Sequence, residues 1–161
     1  MFDEVRLETA ANSDRSYIVQ MCIKNGMACY MSRFVPDINS KLYGFDLIKY
    51  CDERIGAICL EHDREDNDVL ILGIVIWNAA FLDKGIGNRI IKGYLGNIKD
   101  FRKVKLNVRE GNGRAIRSYM NIGFRVVGEG EKMNKNDKIK YLSMEYNVDD
   151  LKDNFKREWE V

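Results

Sequence analysis

The sequence contains few residues of the kinds that build metal sites and rigid linkers. Its 161 residues include one histidine, one proline and four cysteines, namely His62, Pro36, Cys22, Cys29, Cys51 and Cys59. No two cysteines have the Cys-x-x-Cys spacing, so a zinc site is disfavoured and we expect no metal. The cysteines are expected to be free, buried thiols in a reducing cytoplasm.

Long apolar runs and an excess of charge of one sign are also missing. The longest apolar segment, 69–77, has the length of a strand and falls well short of the ~20 residues that span a bilayer. The net charge of +1 predicts no general attraction to nucleic acid or to anionic membranes. The first residues lack the basic segment of a signal peptide. We therefore expect a cytoplasmic protein with no membrane or nucleic-acid partner.

The length and composition are typical of one globular domain, which we expect to span 1–161. The first half predicts a strand at 5–9 and then a helix capped by Asn12 or Ser13. The segment 27–45 is less readable and predicts either a second short helix or a mobile loop. A strand pair follows, 46–51 and 54–60 around a turn at 52–53, and then an acidic turn at 61–68. The acidic turn is interpreted either as a solvated hairpin or as an attractive field for a cationic substrate.

The central feature is an apolar strand followed by a glycine turn and a helix. Residues 69–77 do not alternate in polarity, which predicts a strand that is covered on both faces. The stretch Leu82-Asp83-Lys84-Gly85-Ile86-Gly87 follows, and then an amphipathic helix. Unpaired N–H groups at the start of such a helix form an anion site. The dinucleotide fingerprint and the Walker pattern do not fit, because the required third glycine and the Gly-Lys-Ser/Thr order are absent.

The second half predicts a strand, a helix, two more strands and a C-terminal helix. The strand is 104–109; Asn112 caps the helix and Gly123 ends it, with an apolar face that comprises Ala115, Ile116, Tyr119 and Met120. Strands 124–129 and 139–146 follow, joined by a polar, mobile connection at 131–138. Residues 148–161 are expected to form a helix with an apolar stripe, which can pack on the body of the protein or on a second subunit. A homodimer is therefore possible.

Two segments resemble the GCN5-related N-acetyltransferase (GNAT) family. The glycine stretch is similar to the Arg/Gln-x-x-Gly-x-Gly/Ala loop that binds the pyrophosphate of acetyl-CoA. The stretch Asn112-x-x-Ala115-x-x-x-Tyr119-x-x-x-Gly123-Phe124 is similar to a helix of that family. The resemblance covers about 54–146. It implies an α/β (α+β) fold with a single mixed, mostly antiparallel sheet, a splayed central strand pair and helices on both faces.

The resemblance also implies a site for acetyl-CoA as co-substrate. The residues implied in cofactor binding are Val75, Ile76, Trp77, Leu82, Asp83, Lys84, Gly85, Ile86, Gly87, Asn88, Asn112 and Tyr119. Backbone groups of the first three pair with the pantetheine arm, and one of their N–H groups binds the thioester oxygen. Tyr119 is the implied catalytic residue, which protonates the departing thiolate.

The sequence departs from the family pattern at the loop and at the general base. Leu82 replaces the usual Arg or Gln and Asp83 replaces a frequent Gly, so the phosphate contact depends on backbone N–H groups, Lys84 and Arg89. Asn107 stands where N-terminal acetyltransferases of ribosomal proteins tend to have Glu. The open alternatives for the base are Glu61, His62, Glu129 and water held by backbone carbonyls.

The function implied by the resemblance is acetyl-CoA-dependent N-acetyl transfer directly to a primary amine. A local similarity of 114–146 to some aminoglycoside 6′-N-acetyltransferases favours a small, polyamine- or aminoglycoside-like acceptor. The alternatives are a protein or peptide N-acetyltransferase and a non-catalytic acyl-CoA-binding module. The family sets the acceptor through the segments that correspond to 26–45 and 128–138.

Overall fold

A computed structural model describes residues 4–27, 32–134 and 136–148. This part of the chain contains seven strands and three α-helices: β1 (Val5–Thr9), α1 (Arg15–Lys24), β2 (Leu42–Tyr50), β3 (Glu53–His62), β4 (Val69–Ile76), α2 (Ile86–Gly96), β5 (Lys103–Arg109), α3 (Gly113–Ile122), β6 (Arg125–Asn134) and β7 (Asp137–Asn147). Short 3-10 turns lie at Asn12–Asp14, Ser32–Phe34 and Ala79–Phe81.

The strands form one sheet in the order β1-β2-β3-β4-β5-β7-β6. Antiparallel pairing joins β1 with β2, β2 with β3, β5 with β7 and β6 with β7. Parallel pairing joins the first three residues of β4, Val69–Ile71, to Lys103–Lys105 of β5. The sequence-based prediction of a mixed, mostly antiparallel sheet with a parallel β4-α2-β5 crossover is therefore confirmed.

The chain divides into two compact units by its internal contacts. One comprises Met1–His62 with Leu72–Arg89, and the other Asp63–Ile71 with Ile90–Val161. The core of the first unit places one face of α1 against the sheet, with Ile18, Cys22, Phe34, Phe45, Leu47, Ala57, Cys59, Val75 and Trp77 all buried. Ile18 and Cys22 are four residues apart and so share one helix face. A single domain over 1–161 stays a prediction.

In the second unit, the end of α3 is fixed by a glycine and an aromatic cluster. Gly123 has φ +127°, and a Cβ there would lie 3.0 Å from the Tyr146 ring. The Phe124 ring lies 5.9 Å from that of Tyr119 and 5.4 Å from that of Tyr146, measured between centroids. Only glycine fits this backbone and this space, so the predicted helix stop at Gly123 is confirmed.

Several predicted boundaries were wrong because the strands extend further than the apolar pattern. The β2–β3 turn lies at Cys51–Asp52, one residue earlier than expected, with Cys51 at φ +52°. The supposed mobile connection 131–138 is mostly strand, since β6 reaches Asn134 and β7 starts at Asp137. There the Tyr141 ring covers Gly130 on the neighbouring strand. Backbone pairing and this cross-strand contact keep polar residues in the two strands. The hydrophobic periodicity of the sequence reveals neither of these interactions.

The helix predictions need similar corrections. A 3-10 turn occupies Asn12–Asp14, and α1 starts at Arg15 with no side-chain cap from Asn12 or Ser13. The described part of 27–45 holds one 3-10 turn and the start of β2. Met120, predicted in the apolar face of α3, is 56% exposed. The predicted helix 148–161 lies outside the described residues, apart from Val148. In the described part of the chain, no helix is long and apolar enough to cross a bilayer.

The expectation of free, buried thiols holds for two of the four cysteines. Cys22 and Cys59 are free and buried, whereas Cys51 is free and exposed, because the β2–β3 turn presents it to solvent. Cys29 lies outside the described residues. Burial raises the pKa of Cys22 to about 11 and that of Cys59 to about 12, with the Glu61 carboxylate adding to the latter.

We expect a thiol reagent at pH 8 to modify Cys51 in the folded protein and to spare Cys22 and Cys59, since the thiolate is the reactive form. Peptide mapping by mass spectrometry after a short reaction measures this. Cys51→Ser should remove the labelled peptide, and Cys22→Ser should leave it. Fast labelling of Cys59 before unfolding would contradict its burial.

Candidate active site

The end of β4 directs its backbone groups alternately to its two edges. The Trp77 N–H donates a hydrogen bond to the Ile55 carbonyl oxygen at 2.9 Å, and the Val75 carbonyl oxygen lies against Gly56 of β3. Because backbone groups of successive strand residues point to opposite edges, those of Ile76 face away from β3. Of the three predicted backbone partners of the pantetheine arm, Ile76 is the one on the edge opposite β3.

The glycine turn that follows has two residues in the left-handed region. Asp83 has φ +60° and Gly85 has φ +77°. Aspartate tolerates this conformation better than most residues, so Asp83 can occupy a position where relatives often carry Gly. Asp83, Lys84 and Gly85 are exposed, and Leu82 is partly buried.

Helix α2 starts immediately after the turn. Its first intrahelical hydrogen bond runs from the Arg89 N–H to the Gly85 carbonyl oxygen at 3.1 Å. The N–H groups of Ile86 and Gly87 precede this first donor and are not used by the helix's own hydrogen bonds. They lie at its positive end, which attracts anions. The turn and the end of β4 belong to the same unit, so the structure brings these predicted residues together.

The beginning of α2 packs closely on β4. Ile86 is buried, and a Cβ at Gly87 would lie 3.7 Å from the Ile76 side chain and 3.8 Å from that of Ile74. These are ordinary contact distances, so Gly87 is not required to avoid a clash within the protein. Gly85 is needed for its backbone conformation.

The other predicted residues, Asn112 and Tyr119, lie at the start and on one face of α3 in the second unit. The Asn112 side chain accepts a hydrogen bond from the Ala115 N–H at 3.4 Å, which confirms its predicted role as the helix cap. α3 has no fully buried residue, whereas α1 and α2 have several. The apolar face of this amphipathic helix, Ala115, Ile116 and Tyr119, is partly buried.

The Tyr119 phenol is held in its protonated form. Burial raises its pKa to about 12. The group therefore keeps its proton at all ordinary pH values. A thiol has a pKa of ~8.5, so complete transfer of the phenol proton to a thiolate is unfavourable by roughly three pKa units. Tyr119 is accordingly suited to donating a hydrogen bond to a thiolate.

The candidate bases are engaged in different ways. Glu61 is buried and ion-paired with Arg15 at 2.7 Å and with Arg33 at 3.5 Å, so it is not poised to take a proton from an amine. The His62 ring lies 6.1 Å from that of Tyr43, and Glu129 is exposed on β6. The arginine partners of Glu61 were missed by the sequence reasoning, because a buried arginine has no distinctive local pattern.

The acidic turn 61–68 is largely neutralised within the protein. Besides Glu61, Asp63 pairs with Lys105 at 3.0 Å and Asp66 with Arg102 at 3.3 Å. The interpretation of this turn as an attractive field for a cationic substrate is weakened accordingly. Among residues 4–27, 32–134 and 136–148, no group of three or more His, Cys, Asp or Glu side chains is arranged to hold a metal ion.

Solved structures match the chain over most of its length. The spermidine N-acetyltransferase of Vibrio cholerae, in complex with CoA and spermine, has a TM-score of 0.70 at 15% identity, covering 91% of this chain and 97% of that one. A GNAT-family acetyltransferase of Streptococcus pneumoniae has a TM-score of 0.66 at 15% identity, covering 89% and 99%. The chain has the fold of the GNAT acetyltransferases.

A third match with this fold is the yncA protein of Salmonella typhimurium with its cofactor acetyl-CoA, at a TM-score of 0.64 and 12% identity, covering 90% of this chain and 94% of that one. No protein-family model matches the chain, and no curated protein sequence matches it. At these identities, the likeness establishes the GNAT fold.

The raised pKa of Tyr119 predicts a pH-dependent contribution to stability. Because the folded pKa of about 12 exceeds the usual value of 10, the contribution is full below pH 10 and is lost as the pH rises towards 12. Urea unfolding at pH 9 and pH 11 should show wild type losing on the order of 1 kcal/mol relative to Tyr119→Phe, which has no ionising group. Parallel losses in the two proteins would contradict the shift.

Proposed function

We propose that the protein transfers an acetyl group from acetyl-CoA to a primary amine. The observation that carries the proposal is the junction of β4, the glycine turn and the start of α2, found within the fold of acetyltransferases. A strand edge that ends beside a helix N-terminus suits a ligand with an amide-bearing arm and a pyrophosphate.

The residues of this junction fit acetyl-CoA, which supplies an activated acyl thioester. The N–H groups of Ile86 and Gly87 bind the pyrophosphate, with Asn88 beside them as the family resemblance implies, and Lys84 adds positive charge at the exposed turn. Leu82 and Asp83 shape the turn. The backbone of Ile76 pairs with the pantetheine arm, flanked by Val75 and Trp77. Asn112 and Tyr119 of α3 stay predictions as cofactor-binding residues, on the family resemblance alone.

The reaction requires one bond to form and one to break. The lone pair of the amine attacks the thioester carbonyl carbon, a C–N bond forms, and the C–S bond breaks with its electron pair passing to sulfur. The Ile76 N–H stabilises negative charge on the carbonyl oxygen. Before the attack, the ammonium loses one proton to solvent through water. After the C–N bond forms, the nitrogen loses a second proton, which passes through water to the sulfur, so that CoA leaves as the thiol. In the role that the family resemblance implies, Tyr119 donates a hydrogen bond to that sulfur.

The proposed acceptor is a small-molecule amine. One neighbour of this fold is a spermidine N-acetyltransferase, which supports this class. A polyamine- or aminoglycoside-like acceptor is the specific form expected from the sequence, but the pairing of Glu61, Asp63 and Asp66 with chain cations weakens its electrostatic support. On the basis of its free thiols, we also propose that the protein is cytoplasmic. We propose a homodimer as its assembly.

A non-catalytic acyl-CoA-binding module is the second candidate function. It is favoured by the ion pairing of Glu61, which leaves this candidate base engaged with two arginines. Protein or peptide N-acetylation stays the other alternative for the acceptor.

The glycine turn provides a direct test of cofactor binding. Gly85→Ala places a side chain at φ +77° and should distort the turn, raising the Kd for acetyl-CoA at least tenfold. Isothermal titration calorimetry measures this. Gly93→Ala, in the helix that follows the turn, is the control, since a Cβ there meets nothing within 4 Å. Equal Kd values for wild type and Gly85→Ala would place the cofactor elsewhere, and no binding by wild type would refute the proposal.

Turnover separates the enzyme from the binding module. We expect free CoA, detected by its thiol, to appear with at least one small amine at a rate well above background hydrolysis. Tyr119→Phe should lower kcat by 10- to 100-fold without a comparable change in the Kd for acetyl-CoA. Tight acetyl-CoA binding without turnover on polyamines, aminoglycosides, amino acids or peptides would instead support the module.

A further inference from the structure

Two charged residues are buried in the part of the chain that the structure describes, Arg15 of α1 and Glu61 of β3. Arg15 donates to five acceptors: Asn12 Oδ1 at 3.0 Å, the carbonyl oxygens of Arg33 and Val35 at 3.1 and 3.5 Å, Ser40 Oγ at 3.1 Å and Glu61 Oε1 at 2.7 Å. These contacts equal the number of its N–H donors. Arg15 therefore ties the segment 33–40 to α1 and β3, and its own charge is fully engaged.

Glu61 holds a second arginine with its other oxygen. Arg33 Nη1 lies 3.5 Å from Glu61 Oε2, and the Arg33 side chain is 40% exposed. The three side chains together carry one net positive charge. Since Arg15 is enclosed, the excess charge is presented to solvent by the guanidinium of Arg33.

The position of Arg33 is fixed at three points. Its carbonyl oxygen accepts from Arg15, its guanidinium pairs with Glu61, and its Cβ and Cγ lie directly over Gly73 of β4, where any side chain would clash. A guanidinium held in this way loses little conformational freedom when it binds a ligand. This is the arrangement of a preorganised anion receptor.

Arg33 also lies along the strand that the proposed function assigns to the cofactor arm. The pyrophosphate turn follows the C-terminal end of β4, so an arm lying on this strand runs back past Ile76 towards Gly73, a distance of about 10 Å at the rise of a strand. Its thioester end therefore approaches the part of β4 that Arg33 covers. An acceptor that approached the thioester across the face of Gly73 would meet the Arg33 side chain.

We propose that Arg33 binds a carboxylate carried by the acceptor, so that the preferred acceptors are small amines that also bear an acid group. This inference rests on the proposed acetyl transfer and specifies its substrate class. The planar fork of the guanidinium matches the two oxygens of a carboxylate. A polyamine brings only positive charge to a cluster that already has one positive charge in excess, and is disfavoured.

Matched amines that differ by one carboxylate test the proposal: lysine against cadaverine, and ornithine against putrescine. With saturating acetyl-CoA and detection of free CoA, wild type should show at least tenfold higher kcat/KM for the amino acid of each pair. Arg33→Gln should abolish this preference, mainly through the KM of the amino acid, and Arg33→Lys should retain part of it. The Kd for acetyl-CoA should change less than twofold in either variant.

Arg6→Gln, an exposed arginine of β1, is the control and should keep the wild-type preference. Unchanged circular dichroism and Tm in Arg33→Gln show that the Arg15–Glu61 pair still holds the fold. Acetyl-CoA binding with faster turnover of the diamines, or an equal effect of Arg33→Gln on both members of a pair, would overturn the inference and leave acetyl transfer standing. No acetyl-CoA binding, or no turnover with any amine, would overturn both.

Discussion

The hydrogen bond from the Trp77 N–H to the Ile55 carbonyl oxygen fixes the end of β4, and the candidate site depends on it. It commits the Val75 and Trp77 backbone to β3, and strand alternation then turns the Ile76 groups to the opposite edge. The strand ends at Ile76, a 3-10 turn follows at Ala79–Phe81, and α2 begins directly after Gly85 with its left-handed backbone. One interaction within the sheet thus decides which groups a ligand can meet.

The buried Arg15–Glu61 pair organises a second part of the first unit, the segment 33–40. Isolated charges are costly to bury, and this pair offsets the cost through five hydrogen-bond acceptors around Arg15. The arrangement, together with the buried Phe34 side chain, ties the segment 33–40 to α1 and β3 and leaves Arg33 as its exposed charge. In the acidic turn, Asp63 and Asp66 pair with Lys105 and Arg102, which are more exposed than Arg15.

Much of the fold could be predicted from local patterns. The unbroken apolar run of β4, the cap at Asn112 and the stop at Gly123 each have a local physical cause, and each appears where expected. The two strands of the β6–β7 hairpin were predicted, but their extension through 131–138 was not, because its polar residues are held by backbone pairing, with the Tyr141 ring on nearby Gly130. The exposure of Cys51 likewise depends on a one-residue difference in a turn.

The sequence by itself determined the order of strands and helices, the glycine turn and the resemblance of two segments to acetyl-CoA-binding elements, since these depend on residues close together in the chain. Only the tertiary structure decided that Ile76 faces away from β3, that burial holds the Tyr119 proton, and that Glu61 is paired with two arginines. Those properties arise from contacts between residues far apart in sequence, such as the 46 positions that separate Arg15 from Glu61. No periodicity encodes such contacts, because they form only when the chain has folded.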